Sequence, residues 1–136
     1  LLRAPDRRLL LVKPTYLSHW EIPSGVVAAG ETPWEAAVRE TREKLGLART
    51  PHRLLCADFI RPGPGEPGGP RLIFDGGILG QDNLAAIRLQ PAELEDWQLA
   101  AADHVDRFLP PALARRTRAA AAARHPVYLE NGYPVP

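Results

Sequence analysis

One segment constrains this sequence more than any other, because it carries the signals for both ends of a helix. Thr32 and Glu35 have the T-x-x-E spacing of a capping box, and Pro33 fits the first helical position, where its missing N–H costs nothing. Gly46 can adopt the left-handed conformation that ends a helix. The sequence therefore predicts a capped helix between Thr32 and Gly46, entered from a loop that contains Gly25.

This helix has one strongly charged face, which carries Arg39, Glu40, Glu43 and Lys44. Because residues three or four apart on a helix are neighbours, the last three form one cluster. Two carboxylates beside a glycine loop suit a hard cation such as Mg²⁺, which binds through a few carboxylates together with substrate phosphates. The alternative is a solvated face on which the two i,i+4 pairs of opposite charge each contribute roughly 0.3–0.5 kcal/mol.

The segment 25–47 resembles a Nudix box, which has the pattern G, five residues, E, seven residues, R-E-aliphatic-x-E-E-x-G-aliphatic. The residues that stand at pattern positions are Gly25, Glu31, Arg39, Glu40, Glu43, Gly46 and Leu47. Two positions depart from the pattern. Thr41 replaces an aliphatic residue, which is a mild change because a β-branched side chain can still pack. Lys44 replaces the second glutamate of the E-E pair, a principal metal ligand in the family, and an ammonium group cannot ligate a cation.

The resemblance implies an α/β fold, the Nudix-type α/β/α sandwich with a mixed β-sheet. No internal repeat or interdomain linker is visible, so we expect residues 1–136 to form a single domain of this type. A polar turn at residues 4–7 separates two short apolar runs, and in Nudix proteins a hairpin of this kind opens the fold. Only the tail of its first strand would be present here, so we expect that strand to be truncated at the N-terminus.

The resemblance also implies a reaction, the metal-dependent hydrolysis of a nucleoside diphosphate linked to another moiety, in which water attacks phosphorus. Glu40 and Glu43 would then be catalytic residues and ligands of Mg²⁺ or Mn²⁺, and Glu40 would help to deprotonate the water. Arg39 would be a catalytic residue that orients a carboxylate. Glu31 would brace the loop against the helix, and Gly46 would have the structural role of ending the helix.

Three residues are candidates for contact with a nucleotide-type small-molecule substrate. Gly25 would let the backbone approach the metal or the phosphate. Trp20 lies in a segment similar to the family's W-x-x-P-G-G lead-in, and it is either a core or wall residue or a base-stacking platform. Arg61 opens the Gly- and Pro-rich segment 61–70, which we expect to be a mobile loop of the kind that often lines substrate sites. Pro62 lies near the position of a proline in some ADP-ribose-cleaving members, but other dinucleotides, oxidised nucleoside triphosphates and sugar nucleotides stay open.

Some Nudix proteins supply one further metal-binding carboxylate from outside the box. The candidates in this chain are Asp75, Glu93, Glu95 and Asp96, and no spacing decides among them. Lys44 therefore leaves two hypotheses of different class. The first is a pyrophosphohydrolase that the lysine weakens, and the alternative is a catalytically impaired Nudix-fold domain that binds a nucleotide or another protein.

Composition limits the classes of binding partner and the cellular compartment that we expect. The formal net charge of +1 gives no reason to expect nucleic acid or a membrane as partner, and no apolar stretch approaches the length of a membrane span. Cys56 is the single cysteine, which excludes an internal disulfide and fits a reducing cytoplasm. It lies in an apolar run and is expected to be a buried structural thiol. The tail 125–136 is expected to be irregular and to pack against the domain or a second subunit, which leaves a homodimer open.

The remaining segments predict short elements. Apolar runs predict strands at residues 9–12, 53–60, 71–79 and 85–89, with Asp75-Gly76-Gly77 able to break the third strand. Segment 91–97 resembles the stretch in which many Nudix proteins turn towards their last helix. Helices are expected at residues 104–109 and 111–124.

Overall fold

The computed structural model describes residues 1–136, which form six strands, three α-helices and one 3₁₀ helix. The strands are β1 (Leu9–Pro14), β2 (Leu54–Ile60), β3 (Gly69–Phe74), β4 (Leu94–Ala100), β5 (Val127–Glu130) and β6 (Tyr133–Pro134). The helices are α1 (Pro33–Leu45), α2 (Gln81–Ala85) and α3 (Pro111–Ala122), and the 3₁₀ helix spans Ala102–Arg107. None of these helices has the length and apolar content that crossing a membrane requires.

The strands form two sheets. β1 and β4 pair antiparallel, with Leu9 opposite Ala100 and Val12 opposite Trp97. The second sheet has the order β3-β2-β5-β6, in which β2 and β5 run parallel and the other neighbours run antiparallel. The expectation of an α/β fold with a mixed sheet is therefore confirmed.

β1 separates two hydrophobic cores. Successive side chains of a strand point to opposite faces, so Leu9 and Leu11 enter one core while Leu10 and Val12 enter the other. This burial on both faces explains the uninterrupted apolar run in the sequence. The first core lies against α3, and the second receives Leu45, the fully buried last residue of α1. Leu45 thus fixes the C-terminal end of the charged helix to the body of the protein.

The helix α1 begins and ends where the sequence predicts. Thr32 Oγ1 accepts a hydrogen bond from the Glu35 backbone N–H at 3.2 Å, and Glu35 Oε2 accepts one from the Thr32 N–H at 2.8 Å. Pro33 is the first helical residue, and Gly46 ends the helix with φ 70°. The N-terminal end is satisfied locally, whereas the last carbonyls, those of Lys44 and Leu45, accept hydrogen bonds from the Gln90 and Arg88 backbone N–H groups at 3.0 and 2.8 Å.

A buried ion pair, which the sequence did not reveal, joins the second sheet to α3. Asp58 on β2 is fully buried, and its Oδ2 accepts a hydrogen bond from Arg116 Nε at 2.7 Å. Its Oδ1 accepts a hydrogen bond from the Gly132 backbone N–H at 3.0 Å, in the turn between β5 and β6. Cys56, also on β2, is fully buried as expected, and this burial raises the pKa of its thiol to about 11.

Three of the predicted elements are wrong, and each depends on contacts distant in sequence. Residues 85–89 are not a strand, because α2 extends to Ala85 and the irregular segment after it bonds to the end of α1, with the Arg88 N–H donating to the Leu45 carbonyl at 2.8 Å. Segment 91–97 is not a simple turn towards a helix, because residues from Leu94 onwards form β4 against β1 and the chain reaches the 3₁₀ helix only at Ala102. The tail is not irregular, because Val127–Glu130 adds to β2 in parallel. The third predicted strand does end at Phe74, before Asp75, as the glycine pair after it suggested.

Candidate functional site

Arg39 is the centre of the site, because its guanidinium joins three carboxylates and the loop before α1. Nε and Nη2 donate to the two oxygens of Glu31 at 2.7 and 2.8 Å, and Nη2 also donates to the Val26 carbonyl at 3.0 Å. Nη1 donates to Glu40 Oε1 at 2.8 Å and to Glu43 Oε2 at 3.2 Å. Glu40 and Glu43 are therefore held side by side by one cation.

Glu31 has the bracing position that the resemblance implies. Besides the two-pronged contact with Arg39, its Oε1 accepts a hydrogen bond from the Ala28 backbone N–H at 3.0 Å. The hydrogen bonds from Arg39 and then from Ala28 lower the pKa of Glu31 to about 2, and the Glu31 contact raises the pKa of Arg39. This pair therefore stays ionised at neutral pH and fixes the loop on the helix.

Gly25 is required for close approach of that loop to Glu40. A Cβ atom built on Gly25 would lie 1.9 Å from Cδ of Glu40 and 2.1 Å from its Oε1. No side chain fits at position 25 while the Glu40 carboxylate keeps this position. The loop backbone therefore lies against the Glu40 carboxylate, and the absent side chain of Gly25 is what permits this.

Lys44 lies among oxygens that come from three separate segments of the chain. Its Nζ donates to the Ser24 carbonyl at 2.5 Å, and lies 3.5 Å from Glu40 Oε2 and 3.6 Å from Glu93 Oε2. Only 14% of the Lys44 side chain is exposed. The ammonium therefore occupies the centre of an oxygen cluster formed by the box loop, α1 and the residue just before β4.

The oxygens around Lys44 are of the type that Mg²⁺ and Mn²⁺ prefer, namely carboxylates and a backbone carbonyl. Glu40 and Glu43 fit a divalent ion by chemistry, and the Glu43 side chain is 58% exposed. No group of three or more His, Cys, Asp or Glu side chains is arranged to hold a metal ion, however. In this arrangement the Lys44 ammonium, 3.5 Å from Glu40 Oε2, opposes the entry of a second cation beside Glu40.

Of the carboxylates outside the box, the structure brings only Glu93 to this cluster. Glu95 pairs with Lys13 at 3.2 Å instead. The other two are engaged elsewhere: Asp75 pairs with Arg3 at 3.3 Å, and Asp96 accepts a hydrogen bond from the Trp97 backbone N–H at 2.8 Å.

Two residues expected to contact substrate lie outside the Arg39 network. Trp20 packs edge-on against Phe108 of the first core, with ring centroids 6.3 Å apart. Arg61 pairs with Glu130 at 2.9 Å, next to the β5–β6 turn. Gly25 is the one substrate-contact candidate that lies within the network.

A shallow cavity of about 550 Å³ runs along α1 beside the exposed carboxylate of Glu43. It is lined by Trp34, Glu35, Val38, Arg39, Arg42 and Glu43. Trp34 is 37% exposed and makes an edge-to-face contact with Phe74, with ring centroids 5.4 Å apart. The Trp34 ring and the Arg42 guanidinium beside Glu43 suit a ligand that has both a planar base and a negative charge.

Sequence reasoning missed the Ser24 carbonyl and could not select Glu93. A backbone carbonyl leaves no signal in residue type, and the only pointer to Ser24 was its position directly before the box. Glu93 joins the site because β4 pairs with β1 and because the Gln90 backbone N–H donates to the Lys44 carbonyl at 3.0 Å, which holds the segment before β4 against the end of α1.

Comparisons with known proteins agree on the fold. The model of the NUDIX domain family matches residues 1–124, whereas no curated protein matches the chain. Similar solved structures include the MutT protein from Methanosarcina mazei Go1, with 22% identity and a TM-score of 0.72 over 87% of this chain and 85% of that chain. An Ap4A hydrolase from C. elegans has 22% identity and a TM-score of 0.65, covering 90% of this chain and 91% of that chain.

An ADP-ribose pyrophosphatase from Streptococcus suis is a third similar structure. It has 19% identity and a TM-score of 0.66, covering 95% of this chain and 92% of that chain. At sequence identities this low, the structural similarity supports the fold alone. The fold expected from the sequence is confirmed.

Proposed function

The chain belongs to the Nudix family, and from that premise we propose that it hydrolyses the pyrophosphate bond of a nucleoside diphosphate linked to another moiety, at a rate that Lys44 lowers. The observation that carries this proposal is the Arg39 network. Arg39 contacts Glu31, Glu40 and Glu43 together, so residues that are spread over thirteen positions of the sequence form one constellation.

Each residue of the constellation has a part in this proposal. Glu40 and Glu43 would hold a divalent ion, Mg²⁺ or Mn²⁺, which when bound neutralises phosphate oxygens and activates water. Glu40 also accepts the proton of the attacking water, and Arg39 keeps its Oε1 oriented. Glu31 keeps Arg39 in place through two hydrogen bonds. Gly25 leaves room for the loop backbone, and hence for a phosphate group, beside Glu40.

The substrate class is supported by the cavity beside Glu43 and by the named activities of similar proteins. Trp34 offers a ring on which a nucleobase can stack, and Arg42 offers a positive charge for a phosphate. Two of the similar structures are described as an Ap4A hydrolase and an ADP-ribose pyrophosphatase, and both names refer to nucleotides with a pyrophosphate linkage.

A panel of nucleoside diphosphate sugars, dinucleoside polyphosphates and nucleoside triphosphates tests this proposal. Each compound is incubated with the protein in Mg²⁺, in Mn²⁺ and in chelator, and the released phosphate products are measured. Glu40→Gln and Glu43→Gln should each abolish metal-dependent turnover, whereas Glu95→Gln, which alters a carboxylate paired with Lys13, should leave it unchanged. Turnover that survives in both box variants would contradict the assignment of these residues.

A second candidate function is nucleotide binding without hydrolysis. It is favoured by one observation, the 3.5 Å contact between the Lys44 ammonium and Glu40 Oε2, because a positive charge there opposes entry of a metal ion. Calorimetry with the same nucleotides in the presence of chelator separates the two. Tight binding in chelator, with no turnover in any metal, would favour the binding domain.

A further inference from the structure

The contacts of Lys44 go beyond a simple pair with one neighbouring carboxylate. Within α1, an i,i+4 pair with Glu40 would satisfy the lysine in the ordinary way. The ammonium also reaches the Ser24 carbonyl before the box and Glu93 before β4, which are 20 residues before and 49 residues after it in sequence. A side chain that is 14% exposed and contacts three segments acts as a cross-link between them.

We propose that Lys44 is a tethered cation that locks the site in the absence of a divalent ion. A divalent ion held by Glu40 and Glu43 would draw on the same Ser24, Glu40 and Glu93 oxygens that the ammonium contacts, so occupancy by one excludes the other. The locked protein keeps these oxygens neutralised without metal, and the site becomes free only when the lysine swings out along its flexible stem. The inference rests on the proposed function only in taking this site to be one that admits a divalent ion.

Two consequences distinguish the lock from an ordinary surface lysine. First, removal of the ammonium leaves Glu93 and the Oε2 atom of Glu40 without their cation, while Arg39 still contacts Oε1 of Glu40, and this destabilises the metal-free protein. Secondly, the apparent association constant for a divalent ion equals that of the unlocked site multiplied by the fraction of molecules that are unlocked. A variant without the ammonium should therefore lose stability in chelator and recover it in metal, whereas the parent should change little between the two conditions.

The test uses Mn²⁺ alone as the probe, with thermal unfolding and calorimetry as readouts, so that no substrate is needed. Lys44→Gln should melt a few degrees below the parent in chelator, and should bind Mn²⁺ at least about tenfold more tightly, which corresponds to a parent that is locked roughly nine-tenths of the time. Lys44→Arg keeps the positive charge and should bind Mn²⁺ as weakly as the parent. Far-UV circular dichroism of the parent and both variants should agree, which would show that Lys44→Gln keeps its fold.

A matched pair of carboxylates tests whether Glu93 belongs to the cluster. In the Lys44→Gln background, Glu93→Gln should weaken Mn²⁺ binding by about 10-fold or more. Glu95→Gln, two residues further along and similarly exposed, should leave it unchanged, because Glu95 pairs with Lys13. Equal effects of the two changes would overturn the assignment of Glu93.

The lock and the hydrolase proposal fail in different ways. If Lys44→Gln binds Mn²⁺ no more tightly than the parent and shows no metal-dependent gain in melting temperature, the lock is wrong, whatever the turnover. If the variant gains both but hydrolyses none of the nucleotides, the lock stands and the hydrolase proposal is wrong.

Discussion

Gly25 and Glu40 are packed so closely that the loop backbone and the helix carboxylate fix each other, with a Cβ on Gly25 falling 1.9 Å from Cδ of Glu40. This contact joins the irregular loop of the box to its capped helix. Any side chain at position 25 must move either the loop or the carboxylate.

The first prediction is that Gly25→Ala lowers turnover about 100-fold, because a displacement of about 1 Å in a catalytic group is enough for such a loss. Gly63→Ala is the matched control, since no atom lies within 4 Å of a Cβ built there. Initial rates of nucleotide hydrolysis and far-UV circular dichroism measure the outcome. A Gly25→Ala protein that is fully active would show that the Glu40 carboxylate need not stay where the structure has it.

The second prediction concerns the pH dependence of stability contributed by Glu31. Its pKa is lowered to about 2 in the folded protein, by the hydrogen bonds from Arg39 and Ala28, from an ordinary value of 4.5. A carboxyl with a lowered folded pKa contributes stability that is present above its unfolded pKa and is lost as the pH falls towards the folded one. The stability difference between the parent and Glu31→Gln should therefore be full above pH 4.5 and should shrink between pH 4.5 and about 2.

Urea unfolding at a series of pH values measures this difference, with Glu95→Gln as the control. The prediction fails if the parent and Glu31→Gln differ as much at pH 2 as at pH 7. It also fails if Glu95→Gln shows the same change with pH.

The third prediction is that breaking the buried Asp58–Arg116 pair destabilises the whole fold. Arg116→Met leaves Asp58 as an uncompensated charge with no exposed surface, which typically costs about 3–5 kcal/mol. Arg61→Ala breaks the Arg61–Glu130 pair, in which the arginine side chain is 69% exposed, and should cost less than about 1 kcal/mol. Urea unfolding at neutral pH compares the two variants, and similar losses would mean that burial does not govern these pairs.

The fourth prediction is that the segment 61–68 contributes little to stability. Residues 61–67 are exposed, and the segment closes on itself through two backbone hydrogen bonds between Gly63 and Glu66. Replacing residues 62–67 by Asn-Gly should change the unfolding free energy by less than about 1 kcal/mol, since closure entropy varies slowly with loop length. If the loop also contacts substrate, KM should change more than the melting temperature, whereas a large stability loss with unchanged KM would show a structural segment.

The sequence predicted the parts of the site that depend on local spacing. The capping box, Pro33 and Gly46 set the bounds of α1 through local signals, and the resemblance to the Nudix box implied that Glu31 braces the loop against the helix. Which outside carboxylate joins the site could not be predicted, because the choice between Glu93 and Glu95 depends on long-range contacts, the β1–β4 pairing and the hydrogen bond from Gln90 to the end of α1.

The strands that sequence reasoning missed have the same physical cause. β5 is recognisable only beside β2, about 70 residues earlier, and β4 only beside β1. Local preference for a strand is weak, so such segments are decided by their partner strand rather than by their own residues. Trp20 shows the converse case, a residue whose type allowed two roles and whose place beside Phe108 assigns it to the core.

The fifth prediction is that Lys44→Glu raises pyrophosphate-bond hydrolysis by at least about tenfold, which equals ~1.4 kcal/mol of transition-state stabilisation. The change restores the family's E-E pair and replaces an ammonium 3.5 Å from Glu40 by a potential ligand. It should also lower stability in chelator, because three carboxylates then repel one another until a cation is bound.

Steady-state turnover of the nucleotide panel by the parent, Lys44→Glu and Lys44→Gln, with and without Mg²⁺ or Mn²⁺, separates the effect of the added ligand from that of removing the ammonium. A gain in Lys44→Glu alone shows that the site needs the added ligand, whereas equal gains in both variants show that removing the ammonium is sufficient. If neither variant is faster than the parent, Lys44 does not limit the reaction, and the carboxylate to mutate next is Glu93.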